Sequence, residues 1–230
     1  MITMSNFYYI TIATKPHQVL NNIIKKIQSN NEQIHVLGMQ ENRNIGWHAK
    51  GNFGVKLKEV YDFVFQSEIK NNDIILFTDA YDVIYKGTQQ EIVKRYLEMN
   101  YPIVFGCETT CNPDPEKHTQ YSKKDVVFPY LNSGMFIGMV GAIRECMKTY
   151  KYDDNDDDQR FWTQQFFNRP ELIKLDYDNN LFLNTYKVDI EDIIIQRDSC
   201  YYKGKNPMFV HVNGPDKSDL SKFLYINHHL

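Results

Sequence analysis

The segment Phe77-Thr78-Asp79-Ala80-Tyr81-Asp82-Val83-Ile84 sets two carboxylates three positions apart, directly after an apolar and β-branched run. If that run is a strand ending at the mouth of a parallel sheet, both acids face the crevice where such sheets take ligands. Carboxylates this close repel each other and raise at least one pKa unless a cation lies between them. A divalent ion with oxygen ligands at about 2.0–2.2 Å relieves that repulsion. The plainer alternative is a strand-end turn in which Asp79 caps backbone amides and Asp82 caps a following helix.

Four more segments carry side chains or glycines of this kind. Phe209-Val210-His211 runs into Asn213-Gly214-Pro215, which forces a turn. An imidazole there is a good third ligand for an Mn²⁺-like ion, and the turn's N–H groups with Lys217 suit a diphosphate. Alone, such a histidine is more often simply hydrogen-bonded. The acidic run Asp153–Asp158 leads into Phe161, Trp162 and Phe166, which need burial, so Asp157 and Asp158 are held near the core boundary. Asn132-Ser133-Gly134 and Gly138 lie in an apolar run, the mark of a strand approached closely by a backbone or a ligand. Gly51-Asn52-Phe53-Gly54-Val55-Lys56 has glycines and a lysine that can cradle phosphates, but it is not a Walker A loop.

The elements that must position these groups follow from periodicity. Phe7–Ala13, Gln33–Gly38, Asp73–Thr78 and Tyr101–Cys107 read as strands. Between them, Leu20/Ile23/Ile24/Ile27, Phe53/Leu57/Val60/Tyr61/Val64 and Ile92/Val93/Tyr96/Leu97 fall at helical spacing. Three strand–helix alternations predict an α/β fold with a mostly parallel twisted sheet flanked by helices. A long polar loop over 108–130, a strand over 131–139, helices over 141–150 and through Trp162, and short β runs at 172–175, 193–196 and 208–212 complete the reading. No linker or internal repeat divides the 230 residues.

Composition excludes several classes. Hydrophobic residues make 42% and charged residues 24%, which rules out disorder. A net charge of −3 gathers no nucleic acid. No apolar run approaches the roughly 20 residues of a membrane helix, and Phe7–Ala13 lacks a basic leader before it. Cys107, Cys111, Cys146 and Cys200 form neither a disulfide framework nor a metal-binding CxxC pair.

Taken in order, Ala13-Thr14-Lys15, Asp79–Ile84, Glu108, Leu131–Gly134 with Phe136–Gly138, Asp156–Gln159 and His211–Lys217 resemble the glycosyltransferase domain of the procollagen lysyl hydroxylases. The resemblance runs from about Tyr8 to Lys217. It implies one GT-A-like domain over 1–230 and a retaining, Mn²⁺-dependent transferase. Such an enzyme moves glucose from UDP-glucose onto galactosyl-hydroxylysine of collagen or a collagen-like protein. By position, Asp79, Asp82 and His211 match the metal ligands. Tyr81 matches the aromatic that stacks on uracil, and Thr14 with the loop around Trp47 matches the rest of the nucleoside pocket. Lys56, Asn213, Gly214 and Lys217 match groups around the diphosphate. Glu108, Asn132, Asp157, Asp158 and Gln159 match the sugar and acceptor side.

Two departures stand out. The family's Cys-Trp-Pro-Glu is here Cys111-Asn112-Pro113-Asp114, and its triple glycine before the lysine is Asn52-Phe53-Gly54. The resemblance also implies a free-standing transferase, since the chain stops at Leu230 without hydroxylase domains. Richness in Asn, Ile, Lys and Tyr fits AT-rich coding, as in large DNA viruses. Three rival readings remain at this stage. They are a non-catalytic UDP-sugar- or glycan-binding module, a galactosyltransferase acting on hydroxylysine, and a metal-dependent phosphohydrolase. The last lacks a second ligand cluster for a two-metal site.

Overall fold

β1 (Phe7–Ile12) and β3 (Ile74–Asp79) are apolar or β-branched at nearly every position, as strands covered on both faces must be. In the computed structural model, which describes residues 5–46, 51–123 and 125–225, they pair in parallel at the centre of a six-stranded sheet. Its order is β2-β1-β3-β6-β5-β7, with β2 at His35–Leu37, β5 at Ile103–Glu108, β6 at Tyr130–Met139 and β7 at Ile173–Leu175.

The sheet is mixed, which corrects the expected parallel arrangement in one place. β1–β2, β1–β3 and β5–β7 are parallel, but β6 runs antiparallel to both β3 and β5. The cause is the connection. A polar loop with a 3₁₀ turn at Pro115–Gln120 joins β5 to β6, and without a crossover helix the chain returns antiparallel. The β5–β6 register shifts between Phe105 and Gly106: Phe105 faces Phe136, while Gly106 faces Asn132. Ser133, Gly134 and Met135 therefore bulge out of that ladder, the kind of kink that re-aims side chains.

The helices bury most of the apolar stripes that the spacing predicts; Leu97 departs from them at 54% exposed, and Ile24, Phe53, Tyr61 and Val93 are only partly buried. α1 (Gln18–Ser29) buries Val19, Leu20, Ile23 and Ile27, α2 spans Gly54–Val64, and α3 (Gln89–Met99) is capped by the Thr88 hydroxyl. α4 covers Val140–Met147, and α5 (Asp158–Asn168) begins on the last residue of the acidic run. Trp162 of α5 is buried against Phe105 and Phe136 of β5 and β6, whereas Phe161 and Phe166 are only half-buried. Full burial was expected of all three; only Trp162 points straight into the sheet.

A second, three-stranded sheet was mostly illegible to periodicity. Its order is β4 (Val83–Tyr85), β11 (Phe209–His211), β8 (Phe182–Asn184). β11 runs antiparallel to β4 and parallel to β8. β9 (Ile193–Ile195) and β10 (Cys200–Tyr202) form a separate hairpin, and α6 (Leu220–Tyr225) closes the described chain. All four cysteines are free, and no described helix is long and apolar enough to cross a membrane.

Candidate functional site

The parallel strands β1, β3 and β5 end on one side of the main sheet, at Ile12, Asp79 and Glu108. Beyond Asp79 the chain turns and enters β4 at Val83, so Asp82 sits on the seam between the two sheets. The register of β11 places His211 opposite both Val83 and Asn184. Distant segments thus meet: His211 Nε2 lies 3.2 Å from Asp82 Oδ1 and 3.8 Å from Asp79 Oδ2. One ligand atom from each residue falls within 4.8 Å of the others. Because Asp82 leads into a strand, it caps no helix, which removes the plainer alternative for it.

Asn184 fixes the imidazole. Its Nδ2 donates to the Cys107 carbonyl at 3.0 Å, which leaves Oδ1 to accept from His211 Nδ1 at 2.8 Å. Nε2 is then the nitrogen that faces the two acids and is left to ligate. A hydrogen-bonded partner behind a ligating histidine is the usual support of a metal site.

Each acid divides its oxygens. Asp79 gives Oδ2 to the histidine side and Oδ1 to Lys56 Nζ, 2.7 Å away. Asp82 gives Oδ1 to His211 and Oδ2 to Lys217 Nζ at 2.6 Å, and Lys217 also donates to the Val212 carbonyl. Lys56 continues to Asp158 Oδ2 at 3.0 Å, and Ser133 Oγ donates to that same oxygen. Burial pushes the Asp79 carboxyl above its ordinary range; Lys56 opposes this and the Asp82 charge adds to it. At Asp82 burial acts the same way, but His211 and Lys217 prevail and hold it well below the usual carboxylate range. Burial also works against the Lys56 charge, yet Asp158 and Asp79 keep it firmly protonated.

Glu108 organises the neighbouring wall. Oε1 accepts from Asn132 Nδ2 (3.0 Å) and Gln159 Nε2 (2.9 Å), and Oε2 accepts from Asn213 Nδ2 (3.0 Å) and Thr110 Oγ1 (3.3 Å). Four donors occupy the four acceptor directions of one carboxylate. Burial raises its pKa, and the amide donors pull it back. Asn132 Oδ1 then accepts from the Gly134 amide, and Gln159 Oε1 from the Ser133 amide, across the β6 bulge. Asn213 Oδ1 accepts from the Tyr186 amide, while Gly214, at φ +82°, packs so closely on the Tyr186 ring that a Cβ would stand 2.4 Å from it.

Asp157 separates from its neighbour. Its Oδ1 accepts from the Arg160 amide and caps α5. Only Asp158 joins the charged cluster directly. At the other edge, Tyr81 Oη accepts from the amides of Thr14 (2.8 Å) and Lys15 (3.1 Å), and the His17 ring lies 5.1 Å from the Tyr81 ring. Trp47 lies outside the described residues.

Gly134 is the floor of the pocket. A Cβ there would come within 2.4 Å of His211 Cε1 and 2.9 Å of Asp79 Oδ2. The backbone of Gly134 therefore packs directly against His211 and Asp79 and leaves no room for a side chain. Two carboxylates and a neutral imidazole are hard and borderline donors that fit Mn²⁺ or a similar divalent ion. Among the residues the sequence reading left unassigned, Ser133, Asn184 and Tyr186 take part. Asn184 had a legible signal: like His211, it is a polar residue ending an apolar run, Leu181-Phe182-Leu183.

A mixed α/β sheet with an acidic and histidine cluster at its strand ends is the arrangement of metal-assisted glycosyltransferases of GT-A-like fold. The chain belongs to the family described as the PLOD GT domain, which matches residues 3–229. It is 28% identical over 229 residues to the rat multifunctional procollagen lysine hydroxylase and glycosyltransferase LH3, covering 92% of this chain and 30% of that protein. It is 32% identical over 202 residues to the uncharacterized protein R699 of Acanthamoeba polyphaga mimivirus, covering 86% and 43%. The chain thus spans under half the length of these relatives. Among solved structures, a glycosyltransferase involved in glycosylation of the major capsid of PBCV-1 shares the fold with a TM-score of 0.53. Identity to it is 10%, over 96% of this chain and 99% of that one.

Proposed function

We propose that this chain is a divalent-metal-dependent, retaining glycosyltransferase acting as one domain, which transfers glucose from UDP-glucose to galactosyl-hydroxylysine of collagen or a collagen-like protein. The observation that carries the reading is the meeting of Asp79, Asp82 and His211 between two lysines at the strand ends. Asp79, Asp82 and His211 would hold Mn²⁺. Bound there, the ion supplies Lewis-acid neutralisation of the departing diphosphate. Lys217 and Lys56 add fixed positive charge beside it, and the Asn213-Gly214 turn faces the same space. Tyr81, its hydroxyl held by two amides, offers its ring to the base, with Thr14 beside it and Trp47 as a further part of that pocket.

Asp158, braced by Lys56 and Ser133, orients the donor sugar, with Asp157 next to it. Glu108, Asn132 and Gln159 shape the acceptor wall. Glu108 has four donors on its carboxylate, and Asp158 is paired with an ammonium, so neither stands ready as a nucleophile. Attack by the acceptor hydroxyl on the leaving-group face suits retention without a covalent intermediate.

The test incubates the protein with Mn²⁺, separate UDP-sugars and a galactosyl-hydroxylysine peptide. Glucose transfer that Asp79→Ala abolishes supports the reading. Transfer of galactose to bare hydroxylysine moves the assignment to that acceptor. Binding without turnover supports a non-catalytic module, and phosphate release a hydrolase.

A further inference from the structure

β7 is the last strand of the main sheet, so the backbone groups on its outer side have no strand partner. Beside it lies a cleft of about 510 Å³ that the transfer site leaves unused. α3 forms one wall from Glu91 to Met99, and the chain from Lys174 to Asp178, through the end of β7 and the turn beyond it, forms the other. Lys123 and Val126, from the long connection between β5 and β6, complete it. From Glu91 to Met99 the helix rises about 12 Å, the reach of about four residues of extended chain.

Both walls are set before any ligand arrives. Arg95 Nε meets Glu91 Oε1 at 2.8 Å, and its Nη1 donates to the carbonyls of Asn180 (2.8 Å) and Asn206 (2.6 Å). The buried Asp176 carboxylate accepts from the amides of Asn180, Leu181 and Phe182, which fixes the turn beyond β7. Other charges lining the cleft have no such partner. Among the described residues, no ion pair joins Glu98, Asp178, Lys123 or Lys174 to an opposite charge. Lys123 lies over the Tyr177 ring at 4.6 Å and Lys174 over the Tyr101 ring at 6.0 Å. Groups of both signs that line one cleft without pairing complement a ligand that carries both signs along its length. The place is as telling as the charge. β7 runs parallel to β5, so the cleft reaches the end of the sheet where Glu108 lies. Cys107, the neighbour of Glu108, donates its thiol to the Asp176 carbonyl at 3.2 Å.

We propose that this cleft seats the polypeptide part of the acceptor, a short extended segment of mixed charge that runs from the glycosylated residue along α3 and the open edge of β7. This inference rests on the reading of Glu108, Asn132 and Gln159 as the acceptor wall. The transfer site then recognises the sugar, and the cleft recognises the chain that carries it. Main-chain groups of the segment meet the β7 edge, while its charged side chains meet Lys123 and Lys174 or Glu98 and Asp178.

The experiment gives the full chain, with Mn²⁺ and UDP-glucose, two acceptors. One is free galactosyl-hydroxylysine, and the other is the same residue within a peptide of about nine residues flanked by Lys and Glu. The wild type is expected to show a KM for the peptide about tenfold or more below that for the free amino acid, at similar kcat. Lys123→Glu combined with Lys174→Glu, both exposed positions, should raise the peptide KM about tenfold. The kcat and the KM for the free amino acid should not move. A peptide with Lys in place of its Glu residues should regain affinity for that variant and lose it for the wild type, a reversal that mere structural damage does not produce. Equal KM values for the two acceptors in the wild type, or a variant that treats the peptides as the wild type does, overturn the inference. Fluorescence anisotropy of the labelled peptide without its sugar measures the same affinities without turnover. If neither acceptor is glycosylated, the functional reading falls, and anisotropy still decides the cleft: binding that follows the charge changes supports it, and binding that is absent or indifferent to them overturns it.

Discussion

Asn184 holds His211 by its Nδ1, so Asn184→Leu frees the ring to turn and to carry its proton on the ligating nitrogen. Mn²⁺ affinity in the presence of UDP should fall about 10–100-fold in a calorimetric titration. The lost buried hydrogen bonds should cost about 1–3 kcal/mol in denaturant unfolding. Gly134→Ala tests the floor of the pocket more narrowly. Its Cβ would press on His211 Cε1 and Asp79 Oδ2, so metal binding should drop at least about tenfold while circular dichroism stays native. Asp79 and His211 were legible from sequence because each ends an apolar run, where a polar group must face a crevice, and Asp82 because it lies three positions beyond Asp79. The pairing of Lys56 with Asp79, and the capping use of Asp157, were not. Both depend on which oxygen of a carboxylate faces which partner, and residue order carries no trace of that.

α5 shows how an element aims a side chain. Trp162 locks the helix onto β5 and β6, and Asp158, one turn earlier, then faces Lys56. Trp162→Ala should lower the unfolding free energy by about 3–5 kcal/mol. The outer side of α5 is tied to the loop after β5, where Arg160 Nη2 meets Asp114 Oδ1 at 2.6 Å and Lys117 meets Oδ2 at 2.7 Å. The Arg160 guanidinium, aided by Lys117, holds the Asp114 carboxyl down at about 2. Its folded pKa lies below the unfolded value of about 3.9, so its stabilisation is complete above that value. It is lost as pH falls from about 4 to about 2. Because Arg160 is half exposed, the effect is about 1 kcal/mol or less. Melting curves of Asp114→Asn should show a shallower acid decline over that window than the wild type. The long helices and main-sheet strands were readable because their periods repeat over many residues. β4, β8 and β10 have three residues each, too few to show a period, and strand direction in β6 is set by a connection and not by its own residues.

The two sheets share no ladder, yet their seam is where the chemistry collects. The main sheet delivers Asp79, Glu108 and Asn132, and the small sheet delivers His211 and Asn184. Alternation of strand and helix predicted the first and the crevice at its strand ends. Of the second sheet, the sequence predicted only the run at 208–212, which holds its central strand β11; β4 and β8 on either side were not predicted. That arrangement predicts that a divalent ion settles between the sheets and not on the acidic run before α5. Anomalous diffraction at the manganese edge, from crystals grown with Mn²⁺ and UDP, places the ion directly. A single strong peak within ligand distance of Asp79, Asp82 and His211 Nε2 is expected. A peak on Asp153–Asp157 with that trio bare would contradict it.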